Sequence, residues 1–128
     1  MKRSLRSSLL AAALLAPAAA FSCGACVEDK VAATYDHAVV TQAMQNGKVV
    51  VFAEPRSSTD PAKVERALRS AASHAAGVDS SSVRASQSPA ALSFVLDPRG
   101  HDPEKTLASI RGAAKVADLQ LVLLKVMR

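Results

Sequence analysis

The sequence predicts an α+β fold in which one helix precedes the order strand, helix, strand, strand, helix, strand. Three observations predict this order. The unbroken apolar run KVVVFAE at 48–54 is rich in β-branched residues and is typical of a buried strand. Two Asp-Pro dipeptides, at 60–61 and 102–103, are helix-start signals ahead of segments with helical apolar spacing. Two further strand-like segments lie between those helices, and another closes the chain.

Both helices that begin at Asp-Pro have one apolar face. In the first helix this face recurs at i, i+3, i+4, i+7, i+8 and i+11, with the members Val64, Ala67, Leu68, Ala71, Ala72 and Ala75. Gly77 is the expected end of that helix. The face of the second helix has the members Leu107, Ile110, Ala114 and Ala117. Small alanine-rich faces of this kind suit close packing on a sheet.

The remaining segments complete a four-stranded sheet. SSSVRASQS is a polar, alternating strand, Pro89 marks a turn, and ALSFVLD at 91–97 is the next strand, so this pair is expected to form a hairpin. LQLVLLKVM at 119–127 is the last strand. The order is that of a ferredoxin-like βαββαβ sandwich, in which two helices cover one face of an antiparallel sheet.

The segment ACVEDKVAATYDHAVVTQAMQNG predicts the extra N-terminal helix. Its expected inward stripe is spaced by four, four, three and four residues, with the members Val27, Val31, Tyr35, Ala38 and Gln42. Gly47 is the expected helix end. This stripe needs a partner, so we expect the helix to pack on the open face of the sheet or on its edge.

Residues 1–20 have the pattern of a secretory signal. The basic start MKRSLRSS precedes the apolar run LLAAALLAPAAA, and alanines at 18–20 provide a small-residue cleavage site. The apolar run is shorter than the roughly 20 residues that span a bilayer. We therefore expect cleavage near Ala20, a secreted and periplasmic protein, and no membrane span after cleavage. Residues 21–47 then form the cysteine-bearing helix, and 48–128 form the ferredoxin-like domain.

The charge of the chain argues against nucleic-acid binding. The whole chain has 16 Lys and Arg against 11 Asp and Glu, a net charge of +5. Three of the basic residues leave with the signal, so 13 basic and 11 acidic residues remain, a net charge of +2. No basic block remains, and three Phe and one Tyr supply no stacking platform. We therefore expect no nucleic-acid partner.

The two cysteines, Cys23 and Cys26, are the chain's clearest chemical feature. Residues three apart are neighbours on a helix, so the two thiols can reach one ion or each other. A disulfide, a redox pair and a metal clamp are all open at this spacing. A purely stabilising disulfide is the weakest of the three, because it closes only a very small loop.

Metal binding by Cys23 and Cys26 is the leading interpretation. A helix N-terminus favours the thiolate, which is the metal-binding form; Lys30 is expected to favour it too, whereas Glu28 and Asp29 oppose it. Two thiolates without a further donor suit copper(I), or mercury(II) as a similar soft ion, whereas zinc takes four ligands. His37 is about 16 Å from Cys26 along one continuous helix, too far for a shared ion. A c-type haem is excluded because Val27 stands where CxxCH needs histidine.

Two other functions stay open. Cys23 and Cys26 can instead form the redox pair of a periplasmic thiol–disulfide protein, with Cys23 attacking, although no strand precedes them as in a thioredoxin-type site. A non-catalytic protein-interaction module is the third hypothesis. We identify no catalytic residue, because Asp36 and Tyr35 are each expected to point away from His37 on one helix. A binding protein is therefore favoured over an enzyme.

Two segments resemble the heavy-metal-associated domain family. FSCGACV at 21–27 resembles the family motif G-M-T/S-C-x-x-C, and the segment at 77–110 resembles the second half of the family's domain. The resemblance implies a ferredoxin-like fold over 48–127 and binding of soft metals, chiefly copper, by Cys23 and Cys26. It also implies that the metal ion is exchanged with a donor or acceptor protein. In the family, the cysteines lie between the first strand and the first helix of the domain, whereas here that loop, AEPRSSTDPAK, has none.

Overall fold

A computed structural model describes residues 26–128. The expected signal peptide at 1–20 and Cys23 lie outside the described residues. The elements are α1 (Val27–Ala32), α2 (His37–Gln45), β1 (Val49–Arg56), α3 (Pro61–Ser73), a 3₁₀ turn (Ser80–Ser82), β2 (Arg84–Gln87), β3 (Ala90–Leu96), α4 (Pro103–Ala114) and β4 (Gln120–Met127).

The four strands form one antiparallel sheet in the order β2-β3-β1-β4. The predicted mixed α+β class and the β2–β3 hairpin are therefore confirmed. The central strand β1 pairs with β3 on one side and with β4 on the other. A register shift between Phe52 and Ala53 bulges the β4 side of this ladder. Among the residues described, no helix is both long and apolar enough to cross a membrane.

The strand β1 is apolar throughout because both of its faces are covered. Successive side chains of a strand point to opposite faces. Val49, Val51 and Ala53 pack in the core under α3 and α4, whereas Val50 and Phe52 pack in a second core under α1 and α2. The unbroken run in the sequence is therefore explained by a sheet with helices on both faces.

The helices α3 and α4 cover one face as predicted. Val64, Leu68, Ala71 and Ala72 are the buried residues of α3, and Thr106, Leu107 and Ile110 are those of α4. At the start of α4, a carboxylate oxygen of Asp102 accepts a hydrogen bond from the Lys105 amide. The helix α4 ends at Ala114, so the expected face does not extend to Ala117. Lys115 has a φ of 53°, the left-handed conformation that ends a helix.

The prediction of a single N-terminal helix is wrong, because the segment forms two short helices, α1 and α2. The chain leaves the helical conformation after Ala32, and Asp36 is extended, with φ −131° and ψ 113°. The side chain of Asp36 accepts a hydrogen bond from the Val39 amide and begins α2. Asp is a strong helix-capping residue, so a second helix start was present in the sequence inside the apolar pattern.

The prediction of which residues of this segment face inward is also wrong. Val31 is buried, but Val27 is 46% exposed and Tyr35 is 42% exposed. In α2 the buried residues are Val40 and Ala43. The break between the helices rotates α2 relative to the continuous helical pattern, so a different set of side chains faces inward.

The two open alternatives for docking of the N-terminal segment are resolved in favour of the sheet face. Val31, Val40 and Ala43 form one buried cluster with three strand residues, Val50, Phe52 and Val95. This cluster lies on the face of the sheet opposite to α3 and α4. The sheet is thus the middle of three layers.

Candidate metal centre and the helix that carries it

Cys26 lies directly before α1 and is exposed. Its backbone is extended, with φ −65° and ψ 145°, and its carbonyl accepts a hydrogen bond from the Lys30 amide at 3.2 Å. The thiol is therefore at the surface, on the residue that closes the first turn of a helix. Cys23 lies outside the described residues, so the meeting of the two thiols stays a prediction.

A buried ion pair attaches α1 to the sheet. The Lys30 ammonium on α1 pairs with the carboxylate of Glu54 on β1, and the Arg56 guanidinium donates to the same carboxylate. The side chains of Lys30 and Glu54 are only 14% and 9% exposed. Buried charges are tolerated when they are paired in this way. The Lys30 ammonium is thus engaged on the sheet.

The ionisation of Glu54 follows from these contacts. Burial alone raises the pKa of Glu54, but the hydrogen bonds and charges of Lys30 and Arg56 outweigh it and hold the pKa below its usual value. Glu54 is therefore ionised at neutral pH and keeps the Lys30 ammonium against the sheet. Val31, the next residue of α1, adds an apolar anchor at 8% exposure.

An apolar groove of about 410 Å³ lies beside α1. It is lined by Val27, Glu28, Val31, Ala32, Tyr35 and Lys125. Five of these residues come from α1 or the segment just after it, and Lys125 comes from β4. Two charged side chains, Glu28 and Lys125, thus flank an otherwise largely apolar surface next to Cys26. We call this surface the α1–β4 groove.

The expectation that Tyr35 and His37 do not pair is wrong. The Tyr35 hydroxyl lies 3.2 Å from Nδ1 of His37, within hydrogen-bond distance. The pairing arises because the helix breaks between them, so the one-helix geometry does not apply. The same break removes the argument that placed His37 about 16 Å from Cys26 along one helix. Asp36, between the two, caps α2 and lies 3.7 Å from Arg84.

Residues 26–128 contain no cluster of three metal-binding side chains. No group of three or more His, Cys, Asp or Glu is arranged there to hold an ion. Cys23, which the sequence predicts as the second ligand of an ion at Cys26, lies outside these residues. This donor set would be two thiolates, which fits a soft ion of low coordination number.

The loop after β1 corresponds to the position of the cysteines in the family that the sequence resembles. In this chain the loop holds a network of hydrogen bonds instead. The Ser57 hydroxyl shares its one proton between two acceptors within hydrogen-bond distance, the Ala117 carbonyl at 2.9 Å and the Asp118 carboxylate at 2.8 Å. The amide and hydroxyl of Ser58 bond to the same carboxylate, at 3.1 and 2.6 Å. These bonds lower the pKa of Asp118. The network ties the loop before α3 to the turn before β4.

Sequence reasoning missed the Lys30–Glu54 pair and the α1–β4 groove. A signal for the pair was present, since Glu54 shares the strand face of Val50 and Phe52 and is therefore an inward charge. The groove had no such signal, because Val27 and Tyr35 were assigned to an inward stripe. Comparison of the chain with known protein families, curated proteins and solved structures found no match.

Proposed function

We propose that this chain is an exported protein that binds a soft metal ion, copper(I), through Cys23 and Cys26, and delivers or sequesters it. One observation carries the proposal: the Cys26 thiol is exposed at the start of a helix that is itself held on the sheet. On this proposal the protein is a binding protein, without catalytic residues of its own.

The chemistry of two thiolates explains the choice of ion. Thiolates are soft ligands and select copper(I) over hard cations such as magnesium or calcium. Zinc would need two more protein ligands for a closed site, and residues 26–128 contain no suitable cluster. A two-thiolate site at the surface leaves the ion accessible, as transfer to another protein requires.

Attachment of α1 supports the site by limiting the freedom of one ligand. Lys30 lies one turn after Cys26 and is held by Glu54, and Val31 is buried on the sheet. A ligand on an anchored element loses less conformational entropy on binding than one on a free segment. The polar and apolar anchors of α1 therefore act on metal binding through the position of Cys26.

The fold that we assign to residues 48–128 is ferredoxin-like. The strand order β2-β3-β1-β4, together with α3 and α4 on one face, supports this assignment. It agrees with the resemblance to the heavy-metal-associated domain family. The cysteines are then displaced from the loop after β1 to the appended segment before α1.

Native mass spectrometry tests the metal site. The processed full chain, reduced and kept anaerobic, is titrated with copper(I) in the presence of a competing chelator. We expect one retained ion per chain, and none in Cys23→Ser/Cys26→Ser. The matched control is Met44→Leu, because Met44 is an exposed soft donor at 47% exposure elsewhere on the chain. This control should retain the ion.

Two outcomes contradict the proposal. If the chain retains no ion against the chelator, or if the double serine variant retains it equally, the cysteines are not a metal site. The exposure of Cys26 suits thiol–disulfide exchange as well. The reduction potential of the cysteine pair then decides between an exchange protein and an inert disulfide. Exchange catalysts lie at about −120 to −270 mV, whereas an inert structural disulfide lies below about −300 mV.

A further inference from the structure

The two edges of the sheet differ in how they are protected. The edge strand β2 has only four residues, Arg84–Gln87, and α3 covers it with polar side chains. The Arg69 guanidinium donates to the Ala85 carbonyl at 3.1 Å, and the Gln87 amide bonds to the Glu65 carboxylate. A short, polar edge with one of its backbone carbonyls already bonded is a poor template for pairing with another strand.

Residues 26–128 give the opposite edge strand, β4, none of these protections. It has eight residues, Gln120–Met127, of which only Gln120 and Lys125 are polar. Its apolar residues are only partly buried. One side of β4 is paired with β1, and no other strand within residues 26–128 pairs with its outer side, which presents a row of backbone N–H and C=O groups. Only another extended strand satisfies such a row, residue by residue.

The α1–β4 groove continues the apolar surface of this edge. Lys125 of β4 lines the groove together with Val27 and Tyr35, two of the large apolar residues that the fold leaves exposed. A protein that docks on the β4 edge from this side would therefore cover the groove as well. Strand pairing and apolar burial would then come from one interface.

We propose that β4 pairs antiparallel with β4 of a second copy of this chain, giving a dimer with one continuous eight-stranded sheet. A two-fold axis perpendicular to the sheet relates the copies, so both α1 helices lie on the same face. The interface is isologous and closes on itself. The protected β2 edge prevents β4-to-β2 pairing, which would extend the sheet without limit.

Charge complementarity favours a second copy as the occupant. Glu28 and Lys125 line the same groove, and within residues 26–128 neither belongs to an ion pair. Across a two-fold axis, the groove of each copy faces that of the other. Glu28 of each copy can then approach Lys125 of its partner, so that opposite charges meet twice. Such rim charges select the partner and its orientation.

Sedimentation velocity over a range of concentrations tests the dimer. The processed full chain is used in reducing buffer, and Cys23→Ser/Cys26→Ser is run in parallel to exclude an intermolecular disulfide. We expect a reversible monomer–dimer equilibrium in both. Since the dimer does not need the cysteines, it stands or falls independently of copper binding.

Charge reversal locates the interface. Lys125→Glu and Glu28→Lys should each weaken dimerisation about tenfold, because like charges then meet, and the double variant should restore it. Lys63→Glu, which makes the same charge change on α3, should have no effect. Hydrogen exchange should show β4 amides that slow as concentration rises, whereas β2 amides stay unchanged.

Three results overturn the proposal. A chain that remains monomeric up to several hundred micromolar has no such interface. A dimer with β4 amides that exchange independently of concentration uses another surface. Open-ended oligomers would show that β4 pairs with an unlike edge rather than with itself.

Discussion

The two faces of the sheet are built differently. Among residues 26–128, the face under α3 and α4 has fourteen buried apolar residues in one cluster, whereas the face under α1 and α2 has six. The smaller face also contains polar groups, namely the Lys30–Glu54 pair and the buried Thr34. The Thr34 carbonyl accepts a hydrogen bond from the Ser93 hydroxyl at 3.3 Å. The two faces therefore depend on different interactions.

This difference indicates where the molecule opens first. Segments with few buried apolar contacts unfold locally at a lower free energy than the rest of a domain. The helix α1 has six residues, one of which is buried, and it carries Cys26. We therefore expect α1 to open before α3 and α4, with the Lys30–Glu54 pair and Val31 as the contacts that oppose its release. The predictions below compare the faces, starting with the largest expected effect.

Core truncation separates the two faces most strongly. Leu68→Ala in α3 should lower the free energy of unfolding by about 2–5 kcal/mol, since Leu68 is only 1% exposed. Val31→Ala in α1 should cost about 1.5 kcal/mol, because it removes two buried carbons. Urea denaturation measures both. Arg66→Ala, an exposed position on α3, is the control and should stay within about 0.5 kcal/mol. Equal losses at Leu68 and Val31 would contradict the comparison.

The ion pair should behave as a coupled unit. Glu54→Leu should destabilise the fold by about 2 kcal/mol, below the roughly 3–5 kcal/mol of fully buried pairs, because Lys30 retains some exposure. Lys30→Met should cost less, since Arg56 still pairs with Glu54. The double variant should recover most of the loss, because the only charge it leaves, that of Arg56, is 59% exposed and can be solvated. Denaturation of the four proteins as a double-mutant cycle measures the coupling, and strictly additive losses would refute it.

Acid should act on the α1 face through Glu54. Its pKa is lower in the folded protein than in the unfolded chain, so the stabilisation is complete above the ordinary pKa of a glutamate, 4.5. It is lost as the pH falls through the lowered folded value. The wild type should therefore lose more stability between pH 6 and pH 3 than Lys30→Met/Glu54→Leu does. Hydrogen bonds from Arg99 lower the pKa of Asp97 to about 2. Asp97 contributes equally to the acid sensitivity of both proteins.

Denaturation midpoints over this pH range measure the difference. The experiment needs the double variant as reference, because other carboxylates also titrate. Parallel pH profiles for the two proteins would show that Glu54 is not the group responsible.

Helix caps offer a matched pair across the two faces. Asp36 caps α2 through the Val39 amide, and Asp102 caps α4 through the Lys105 amide, each at 3.2 Å. Asp36→Ala and Asp102→Ala should each cost about 1 kcal/mol. Asp60→Ala should cost less, because the Asp60 side chain makes no capping hydrogen bond. Thermal or urea denaturation of the three variants gives the ranking, and a large loss at Asp60 would be inconsistent with it.

The smallest effect on stability is expected at the candidate site itself. Cys26→Ser should change the free energy of unfolding by less than about 0.5 kcal/mol, because Cys26 is exposed. The same variant should abolish copper(I) retention in the mass-spectrometric titration. A large loss of stability would assign Cys26 a structural role, in contradiction to its proposed role as a metal ligand alone.

Much of the fold followed from local chemistry in the sequence. The Asp-Pro starts at 60–61 and 102–103, the apolar face of α3 and the strand β1 all depend on residues near one another in the chain. Capping, periodicity and β-branching are local effects, so they are readable without the partner surfaces. The antiparallel order of strands and the presence of a helix before β1 were predictable for the same reason.

Tertiary structure decided the rest. Residues 27–45 have one apolar periodicity but form two helices, because Asp36 caps a second helix and the sheet buries Val40 and Ala43 instead of Tyr35. The sequence marked Cys26 as a candidate ligand, since its chemistry belongs to the residue. The anchoring of its helix by Glu54 joins residues 24 positions apart. Such contacts depend on which surfaces meet, and no local pattern in the chain specifies them.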